Sequence, residues 1–380
     1  MERFTETREI GVGENLGGSL TGMLFGLALI IGAVAVLWWN ESSSVDKADA
    51  LRQLRERVVS LESPEPIPAN EGKAVLISGR LAPIDRVEDP VFRVAPEGAL
   101  VLKRQVEMYQ WQERKEVKKE EKLGGGTTET TTYTYTKGWY DGPVDSKAFR
   151  HPSGHENPPF LYRGRRFEAQ ARLGGFDIDG AVTGRIDPTQ RLEKLPEPPA
   201  VIDGLRRAGD FYYVGKDPAN PEVGDLKIAF VYAPEGPFTI LGRQSGKKIA
   251  PYEVDGYAFL FVQRGRAGAD EILEAALDEN SLITWLFRFG GLLLMFFGFL
   301  LMAGPLQALA NIVPFVGSLI GGATALVAGI LTLIFGSLVI ALAWIGARPW
   351  VLGVLAALLA GWLIYRRRSP SGGAVPPPRR

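Results

Sequence analysis

The chain has 380 residues, no cysteine, and 43 Lys plus Arg against 43 Asp plus Glu, so its formal net charge is zero. The lack of cysteine excludes a disulfide framework, thiolate metal sites and cysteine nucleophiles. A neutral chain gives no electrostatic reason to expect a nucleic-acid partner. Apolar residues are concentrated in roughly the first 40 and last 100 positions, with a charged middle region between them. This distribution predicts an integral membrane protein with a large polar domain.

The first apolar stretch runs from Leu20 to Trp39 without a charge. As a helix it would be roughly 30 Å long, which matches the hydrocarbon thickness of a bilayer. A cleaved signal peptide is the alternative, but its apolar region is shorter and ends at small residues. Here the stretch ends on Trp38 and Trp39, which are typical of a membrane interface. We therefore predict a transmembrane helix at 19–40, preceded by an N-terminal segment at 1–18.

Three more apolar stretches near the C-terminus predict transmembrane helices at 282–303, 317–345 and 350–365. The last of these is just below the usual spanning length, and a re-entrant segment is its alternative. Three consecutive arginines open the tail at 366–380, and the positive-inside bias places such a tail in the cytoplasm. Four crossings then put 1–18 in the cytoplasm and 41–281 outside it.

Small residues recur every four positions along three of these stretches, a spacing that lets helix backbones pack closely. They form stripes within one four-helix bundle or contacts between copies of the chain. Arg288 is the one charge inside a predicted span, and we expect its side chain to reach the outer interface. The stripe residues are Gly18, Gly22 and Gly26; Gly317, Gly321, Ala325 and Gly329; and Gly353, Ala357 and Gly361.

The middle region predicts a β-rich domain that is framed by helices. Leucine and valine spacing over 46–61 indicates an amphipathic helix, and helical periodicity returns at Ala269 and leads into the second span. A threonine and tyrosine alternation at 131–136 predicts a hairpin or edge strand, with a loop as the alternative. The fold class is thus an α+β membrane protein with one N-terminal helix, three C-terminal helices and a β-rich extracytoplasmic domain. Strands are predicted at Ala74–Ser78, Ala99–Trp111, Leu226–Tyr232 and Tyr257–Val262.

The two histidines, His151 and His155, are four residues apart, a spacing that could bind a metal on a helix. Pro152 and Gly154 break that helix, so we expect His155 and Asn157 to fix a turn instead. The run 176–180 imitates the start of a calcium loop but lacks the closing glutamate. We find no nucleophile or phosphate-binding loop, and the sequence predicts no catalytic residue, metal or cofactor.

Contacts with a protein or lipid partner are predicted from the basic clusters of the middle region, Lys103-Arg104 and the run 163–166, because arginines bind phospholipid headgroups and acidic surfaces. A solvated face is the alternative. The residues predicted to contact a partner or lipid are Arg104, Trp111, His155, Arg163, Arg165, Arg166 and Arg288.

Six motifs are framed by the one plus three spans: Trp39-Asn40-Glu41, Asn70 to Lys73, Arg104 to Trp111, Gly154 to Pro158, Gly209 to Tyr213 and Asn220 to Lys227. Together they resemble the transmembrane protein 43 (LUMA) family over nearly the whole chain. The resemblance implies the four-span layout and a membrane-organising role, since the animal protein is a protein of the endoplasmic reticulum and inner nuclear membrane that associates with emerin and lamins. A serine run at 42–44 and a short Pro-Arg tail depart from the animal pattern and argue against nuclear partners.

From these features we expect a non-enzymatic membrane scaffold that binds membrane lipids or membrane and extracytoplasmic proteins, and that can form a homo-oligomer. A lipid-directed enzyme, or a transport or channel component, is the alternative, with His155, Glu156 and Arg288 as the residues to test. Composition favours a bacterial homologue in the cytoplasmic membrane with a periplasmic domain. A eukaryotic source would instead imply the endoplasmic reticulum and inner nuclear membrane.

Overall fold

The computed structural model describes residues 1–122, 126–310 and 314–368. The chain divides into two compact units. The β-rich unit comprises Met1–Ile10, Ala50–Lys122 and Thr127–Leu277. The membrane unit comprises Gly11–Asp49, Leu123–Gly126 and the C-terminal part from Asp278. Each unit is built from its own elements as follows.

The described residues form the α-helices α1 Val12–Arg57, α2 Gly180–Thr183, α3 Ala269–Met302, α4 Gly304–Ala310, α5 Pro314–Gly346 and α6 Pro349–Arg368. Of these six α-helices, α1, α3, α5 and α6 lie in the predicted apolar and periodic stretches, whereas the short helices α2 and α4 were not predicted. Three of the six contain windows that are long and apolar enough to cross a membrane, at Gly17–Arg57, Ala269–Met302 and Gly322–Gly346. The corresponding apolar window of the last helix, Ala356–Arg366, is shorter. Its crossing therefore stays a prediction.

The strands belong to the β-rich unit, and all four predicted runs contain strands, although many further strands of the described residues lie outside those runs. The run predicted at 257–262 is divided at Leu260 into two strands. The strands are β1 Glu2–Ile10, β2 Val59–Ser60, β3 Ala74–Pro83, β4 Ala99–Glu121, β5 Thr127–Tyr140, β6 Arg165–Glu168, β7 Ala171–Leu173, β8 Phe176–Ile178, β9 Gln190–Arg191, β10 Leu205–Ala208, β11 Phe211–Val214, β12 Leu226–Pro234, β13 Gly236–Ser245, β14 Lys248–Ala250, β15 Tyr252–Val254, β16 Tyr257–Phe259 and β17 Phe261–Arg264.

The larger sheet has the order β1-β5-β4-β12-β11-β10, with β6 paired to β4 and β9 to β12. Its long hairpin β4–β5 confirms the hairpin predicted around 131–136 and excludes the loop alternative. Along β4, Leu102, Val106 and Met108 alternate with exposed residues and enter an apolar core with Phe92, Phe230 and other side chains. One face of this sheet is thus buried and the other is open.

The second sheet closes on itself, because β3 pairs with β13 as well as with β7, and β13 continues through β14 and β8 back to β7. Val75, Ile77, Phe176 and Ile240 lie in its fully buried core. The closed part comprises β3, β7, β8, β14 and β13, and the short strands β2 and β17 remain at the edges of this sheet.

The end of α1 and the start of α3 pack together inside the β-rich unit. Leu51 and Leu54 of α1 lie in one buried cluster with Ile272 and Leu273 of α3, and Arg55 donates a hydrogen bond of 2.8 Å to Asp270. The helix predicted at 46–61 ends at Arg57 and is continuous with the first span through the serine run. It ends early because Val59 and Ser60 pair with β3.

The membrane unit is held together by close backbone packing between α1 and α3. A Cβ atom added to Gly26 would lie 2.6 Å from the Gly298 carbonyl oxygen, and one added to Gly298 would lie 2.8 Å from the Gly26 oxygen. At Gly291 the neighbour is a side chain, because an added Cβ atom would lie 2.6 Å from a methyl group of Leu37. The approach of Gly26 to Gly298 is instead between backbones. Only glycine permits this approach.

The predicted stripes differ in what they contact. A Cβ atom added to Gly26 would be in close contact, as described above. One added to Gly22 would lie 3.9 Å from Leu301, and one added to Gly329 would lie 4.0 Å from Phe296. A Cβ atom added to Gly18, Gly353 or Gly361 would meet no atom within 4 Å. Gly317 and Gly321 belong to α5, but their surroundings lie outside the described residues. Among the described glycines, Gly298 and Gly291 are close contacts that the stripes did not indicate.

The N-terminal segment forms strand β1, which pairs with β5 from Glu2 opposite Tyr135 to Ile10 opposite Thr127. The sequence did not indicate this strand. Paired strands share one aqueous compartment, whereas a single crossing by α1 separates 1–18 from 41–281. The pairing therefore conflicts with a cytoplasmic N-terminus and an outer β-rich domain, and the sidedness of the chain stays a prediction.

A disulfide cross-link in intact membranes tests this pairing, since the chain has no native cysteine. Thr5 lies opposite Thr132 in the register, so the pair Thr5→Cys/Thr132→Cys falls within the Cα range for a disulfide, about 4.4–6.8 Å. We expect rapid oxidation to an internal cross-link, detected by mass spectrometry of the linked peptides. The pair Thr5→Cys/Thr128→Cys is the control, because it lies about four residues out of register and should not cross-link. Failure of both pairs would place β1 away from β5.

Substitution of Gly26 tests the close packing of α1 on α3. Gly26→Ala places a methyl group against backbone atoms, and we expect it to lower the free energy of unfolding in mild detergent by about 1–3 kcal/mol. Gly353→Ala is the matched control, because it enters open space and gains helix propensity of up to about 1 kcal/mol. Equal effects of the two substitutions would contradict the packing.

Candidate functional site

A buried ion pair joins α1 and α3 in the membrane unit. Glu41 is 1% exposed, and its two oxygens accept hydrogen bonds of 2.6 and 2.8 Å from Nε and a terminal nitrogen of Arg288. The guanidinium also lies over the Trp285 ring at 4.7 Å. Arg288 was expected to reach the interface by itself, but the structure gives it a carboxylate partner. A bidentate pair of this kind is the arrangement in which two charges tolerate removal from water.

Further polar side chains extend this contact along the same two helices. Asn280 donates to the Ser44 carbonyl at 2.9 Å, and the Thr284 hydroxyl lies 2.6 Å from the Ser44 hydroxyl. Asn40 donates to the Thr284 carbonyl at 3.2 Å. Asn280, Thr284 and Arg288 are four residues apart, so they share one face of α3. We call Asn40, Glu41, Ser44, Asn280, Thr284 and Arg288 the polar clamp.

Arg104, a predicted contact residue, is instead buried in the β-rich unit. Its terminal nitrogen donates to both oxygens of Asp89 at 3.1 and 2.8 Å, and its Nε donates to the Arg163 carbonyl at 3.0 Å. Asp89 is fully buried and also accepts from two backbone N–H groups. Arg104 therefore holds the loop around Asp89 to β4, and its guanidinium is not available to a partner.

The second basic cluster is brought beside the first, because β6 pairs with β4 and places Arg165 opposite Arg104 and Arg166 opposite Lys103. Arg166 donates to Glu168 and to the carbonyls of Thr183 and Ile186, so it ties β6 to the segment around α2. Arg163 and Arg165 are exposed. Of the predicted arginines in this unit, these two remain available at the surface.

The open face of the larger sheet combines aromatic and cationic side chains. Tyr109 lies opposite Trp139 in the register, and their rings are 5.3 Å apart. The Lys227 ammonium lies 4.0 Å from the centre of the Trp139 ring and 5.7 Å from that of Phe211. Cation–π contacts of this kind hold the lysine in place while leaving it partly exposed. We call Tyr109, Trp139, Phe211 and Lys227 the aromatic–cationic face.

A shallow cavity of about 440 Å³ lies beside the aromatic–cationic face. Lys103 and Lys227 line it together with Arg191, whose guanidinium is paired with Asp210. Two carboxylates, Glu107 and Asp141, line it as well. The two lysines are thus the lining cations without a carboxylate partner among the ion pairs of the described chain, and Glu107 and Asp141 balance their charge within the cavity.

The histidines form an aromatic cluster with β5 and β1. His155 is 1% exposed, stacks on Tyr135 with ring centres 3.9 Å apart, and meets the Trp111 edge at 4.8 Å. Its Nδ1 lies 2.8 Å from the His151 carbonyl oxygen. Burial, together with a hydrogen bond to Glu113, raises the pKa of Tyr135 to about 12. Trp111 and His155 are thus interior residues of this cluster.

The turn predicted around His155 and Asn157 is confirmed. Asn157 accepts from the Trp111 N–H at 2.7 Å and donates to the Trp111 and Val144 carbonyls, which fixes the 154–158 segment on β4. In the run 176–180, Asp179 caps α2 by accepting from the Ala181 N–H. Among the residues that the structure describes, no group of three or more His, Asp or Glu side chains could hold a metal ion.

Sequence reasoning missed most of the aromatic–cationic face. Lys103 was noted as part of a basic cluster, but Tyr109, Trp139, Phe211 and Lys227 come from four different strands, and only the register brings them together. The alternation of polar and apolar residues along 105–109 is a sequence signal that could have indicated a strand with one open face here.

The fold and these sites define an integral membrane protein with a large β-rich unit and a polar contact between its membrane helices. The family model described as Transmembrane protein 43 matches residues 108–349. The chain therefore belongs to the transmembrane protein 43 family, as its motifs indicate.

The relatives cover nearly the whole chain. Transmembrane protein 43 of Homo sapiens is 31% identical over 376 residues, which are 94% of this chain and 92% of the human protein. The Rattus norvegicus protein is 31% identical over 97% of this chain and 95% of its own length. The Drosophila melanogaster homolog is 32% identical over 72% and 74%. These relatives are animal proteins and give no support to the expected bacterial source. No solved structure matches the chain.

Arg104 and Arg165 offer a matched test of which arginine is structural. Arg104→Met leaves the buried Asp89 carboxylate unpaired, and we expect the free energy of unfolding of the full chain to fall by about 3–5 kcal/mol. Arg165→Met removes an exposed cation and should change it by less than about 0.5 kcal/mol. Thermal unfolding followed by tryptophan fluorescence measures both. Equal shifts would contradict the buried role of Arg104.

Proposed function

We propose that this chain is a non-enzymatic membrane scaffold whose β-rich unit binds a partner protein through the aromatic–cationic face. The polar clamp and the Gly26–Gly298 contact assemble its membrane helices. The observation that carries the proposal is the grouping of the half-buried side chains Tyr109, Trp139, Phe211 and Lys227 beside a cavity that Lys103 also lines.

The composition of this face supports a protein partner. Tyrosine, tryptophan and phenylalanine are enriched where proteins bind each other, and aromatic anchors contribute much of the binding energy. The lysines Lys103 and Lys227 add positive charge, which favours an acidic surface on the partner. An anionic lipid headgroup offers the same charge but no match for the row of aromatic rings.

The compartment that we propose for the β-rich unit rests on the positive charge after the last helix. The three arginines after α6 support a cytoplasmic tail, and thus an extracytoplasmic position for a domain that is separated from it by an odd number of crossings. The β-rich unit would then face the periplasm in a bacterium, or the lumen of the endoplasmic reticulum and its nuclear-envelope extension in a eukaryote.

The alternative of a lipid-directed enzyme or a transport component rests on His155, Glu156 and Arg288. His155 is engaged in the aromatic cluster of the β-rich unit, Glu156 accepts from the Gly154 N–H, and Arg288 is paired with Glu41 in the membrane unit. No specific contact of these residues favours the alternative over the scaffold.

Quantitative cross-linking in membranes tests the proposed face. The double variant Lys103→Ala/Lys227→Ala removes two cations beside the aromatic rings, and we expect it to lose at least about 90% of the cross-linked partner, since about 1.4 kcal/mol is a factor of ten in affinity. Mass spectrometry of the cross-linked products gives the yield and identifies the partner.

The charge-matched control is Lys147→Ala/Lys194→Ala, which removes two exposed lysines elsewhere in the β-rich unit. It should retain the wild-type yield. A partner that cross-links equally to both variants, or a specific turnover of lipid by the purified chain that a β-rich-unit substitution abolishes, would contradict the scaffold.

A further inference from the structure

A single arginine lies between two tryptophans in the short connection between α5 and α6. The Arg348 N–H donates to the Ile345 carbonyl at 3.0 Å, and the Arg348 carbonyl accepts from the Val351 N–H at 2.9 Å, so the backbone of Arg348 is fixed. Trp344 and Trp350 flank it in sequence, and both side chains are exposed. Exposed tryptophans are typical of the headgroup level of a bilayer. This connection therefore places Arg348 at a membrane interface.

The same end of the membrane unit contains a third tryptophan, Trp38 of α1. A Cβ atom added to Gly346, the last residue of α5, would lie 3.6 Å from the Trp38 ring. Trp38 is also exposed. We call Trp38, Trp344 and Trp350 the tryptophan group, which marks the level of the bilayer at which Arg348 lies.

The guanidinium of Arg348 is partly enclosed and has no counter-charge. Its central carbon lies 4.2 Å from the centre of the Trp344 ring, and one terminal nitrogen is buried without a hydrogen bond. Arg288 also lies over a tryptophan, but it is paired with Glu41, whereas no carboxylate of the described residues pairs with Arg348. Removing part of a cation from water without such a partner is costly. An anion supplied from outside the chain would offset this cost.

The free edge of this guanidinium has the shape that a phosphate requires. The buried nitrogen is Nη1, and neither Nε nor Nη2 of Arg348 is enclosed or hydrogen-bonded in the described structure. Nε and Nη2 are the two nitrogens through which Arg288 binds both oxygens of Glu41. A guanidinium edge of this kind binds two oxygens of a carboxylate or a phosphate at once. Arg348 therefore offers a bidentate contact to a phosphate group.

The surroundings of Arg348 favour a lipid phosphate over a free one. Leu342 of α5 and Val354 of α6 are six residues to either side of it, and each is half exposed. Acyl chains cover apolar side chains of this kind, which a free phosphate cannot do. Helix α6 begins directly after Arg348, so the positive end of its dipole adds to the charge. A headgroup of net negative charge balances these charges better than a zwitterionic one.

We propose that Arg348 and the tryptophan group form a binding site for the phosphate of an anionic phospholipid. The phosphate accepts hydrogen bonds from Nε and Nη2 of Arg348, and the indole rings lie beside the glycerol and the upper part of the acyl chains. This inference goes beyond the proposed scaffold role, and it concerns the membrane unit alone.

Native mass spectrometry of the full chain in a non-ionic detergent tests the site with phosphatidylglycerol and phosphatidylcholine as probes. We expect the wild-type chain to hold one phosphatidylglycerol about tenfold more tightly than phosphatidylcholine, because a charge-assisted contact with Arg348 is worth at least a factor of ten. The variant Arg348→Gln should bind phosphatidylglycerol about tenfold more weakly than the wild-type chain. Equal affinity of the wild-type chain for the two lipids would overturn the proposal.

The matched control is Arg366→Gln, because Arg366 also lies over a tryptophan, with its central carbon 5.4 Å from the centre of the Trp362 ring. Arg366 is exposed in the last turn of α6 and is followed by two further arginines. Its substitution should leave the affinity for the first phosphatidylglycerol unchanged. An equal loss of affinity in the Arg366→Gln and Arg348→Gln variants would overturn the assignment to Arg348.

Thermal unfolding in the same detergent separates a lipid site from a structural role of Arg348. Without added lipid, the Arg348→Gln variant should have at least the Tm of the wild-type chain, because it loses a charge that has no partner. Phosphatidylglycerol at about ten times its Kd should raise the Tm of the wild-type chain by about 2 °C and leave that of the variant unchanged.

Three outcomes of the unfolding experiment would contradict the site. A lower Tm of the Arg348→Gln variant without lipid would show that Arg348 is structural. An equal rise for the variant and the wild-type chain would place the lipid elsewhere. The same rise with inorganic phosphate in place of phosphatidylglycerol would assign the contact to a free anion and overturn the lipid site.

Discussion

The contact between Glu41 and Arg288 is the constraint on which the membrane unit depends. A carboxylate that is 1% exposed is stable only with a partner, and this one receives two hydrogen bonds from a single guanidinium. Because α1 and α3 carry the two charges, the pair fixes the rotation and register of these helices. The close approach of Gly26 to Gly298 is compatible with only that register.

The same two helices continue into the β-rich unit and meet again there. Leu51 and Leu54 pack with Ile272 and Leu273, and Arg55 pairs with Asp270. Apart from strand β1, the strands of the β-rich unit lie in sequence between the end of α1 and the start of α3. The contact between these two helix ends therefore brings together the beginning and the end of that part of the chain.

The motifs that indicated the family are places where polar groups are buried and paired. The Trp39-Asn40-Glu41 motif contributes to the polar clamp, Arg104 binds Asp89, and Asn157 anchors its segment to Trp111. In the Gly209–Tyr213 and Asn220–Lys227 motifs, the Tyr213 hydroxyl donates to Asp225 at 2.6 Å, and burial together with this carboxylate raises the pKa of Tyr213.

Such pairs give these motifs a structural role in the described chain. An unpaired partner in the interior is costly, so neither member can change alone. The residue types at these positions are therefore specific, although their chemistry is structural. The surface proposed to bind a partner contains none of the sequence's obvious basic motifs except Lys103.

The sequence allowed the prediction of those features that have a local period. The apolar stretches at α1, α3 and α5, the strands around β4 and β12, and the turn at Asn157 all follow from patterns within a few residues. Partners that are distant in sequence could not be predicted in this way. Neither Glu41 with Arg288 nor Phe4 with His151 has any local signal, because pairing across more than a hundred residues is decided by packing.

The predicted and observed roles of single residues differ for the same reason. Arg104 and Arg165 belong to equally basic runs, and only the fold places one against Asp89 and the other in solvent. Strand β1 is a clear example of this limit. Its charged sequence is typical of a solvated tail, and only the fold shows that it pairs with β5 and that Phe4 stacks on His151.

The most direct test of the account is the coupling free energy between Glu41 and Arg288. A double-mutant cycle with Glu41→Gln, Arg288→Gln and the double variant, unfolded from bicelles by added detergent, measures it. We expect each single substitution to destabilise the chain and the double variant to recover part of the loss, with a coupling of about 2 kcal/mol. Additive effects of the two substitutions would contradict the claim that this pair holds α1 to α3.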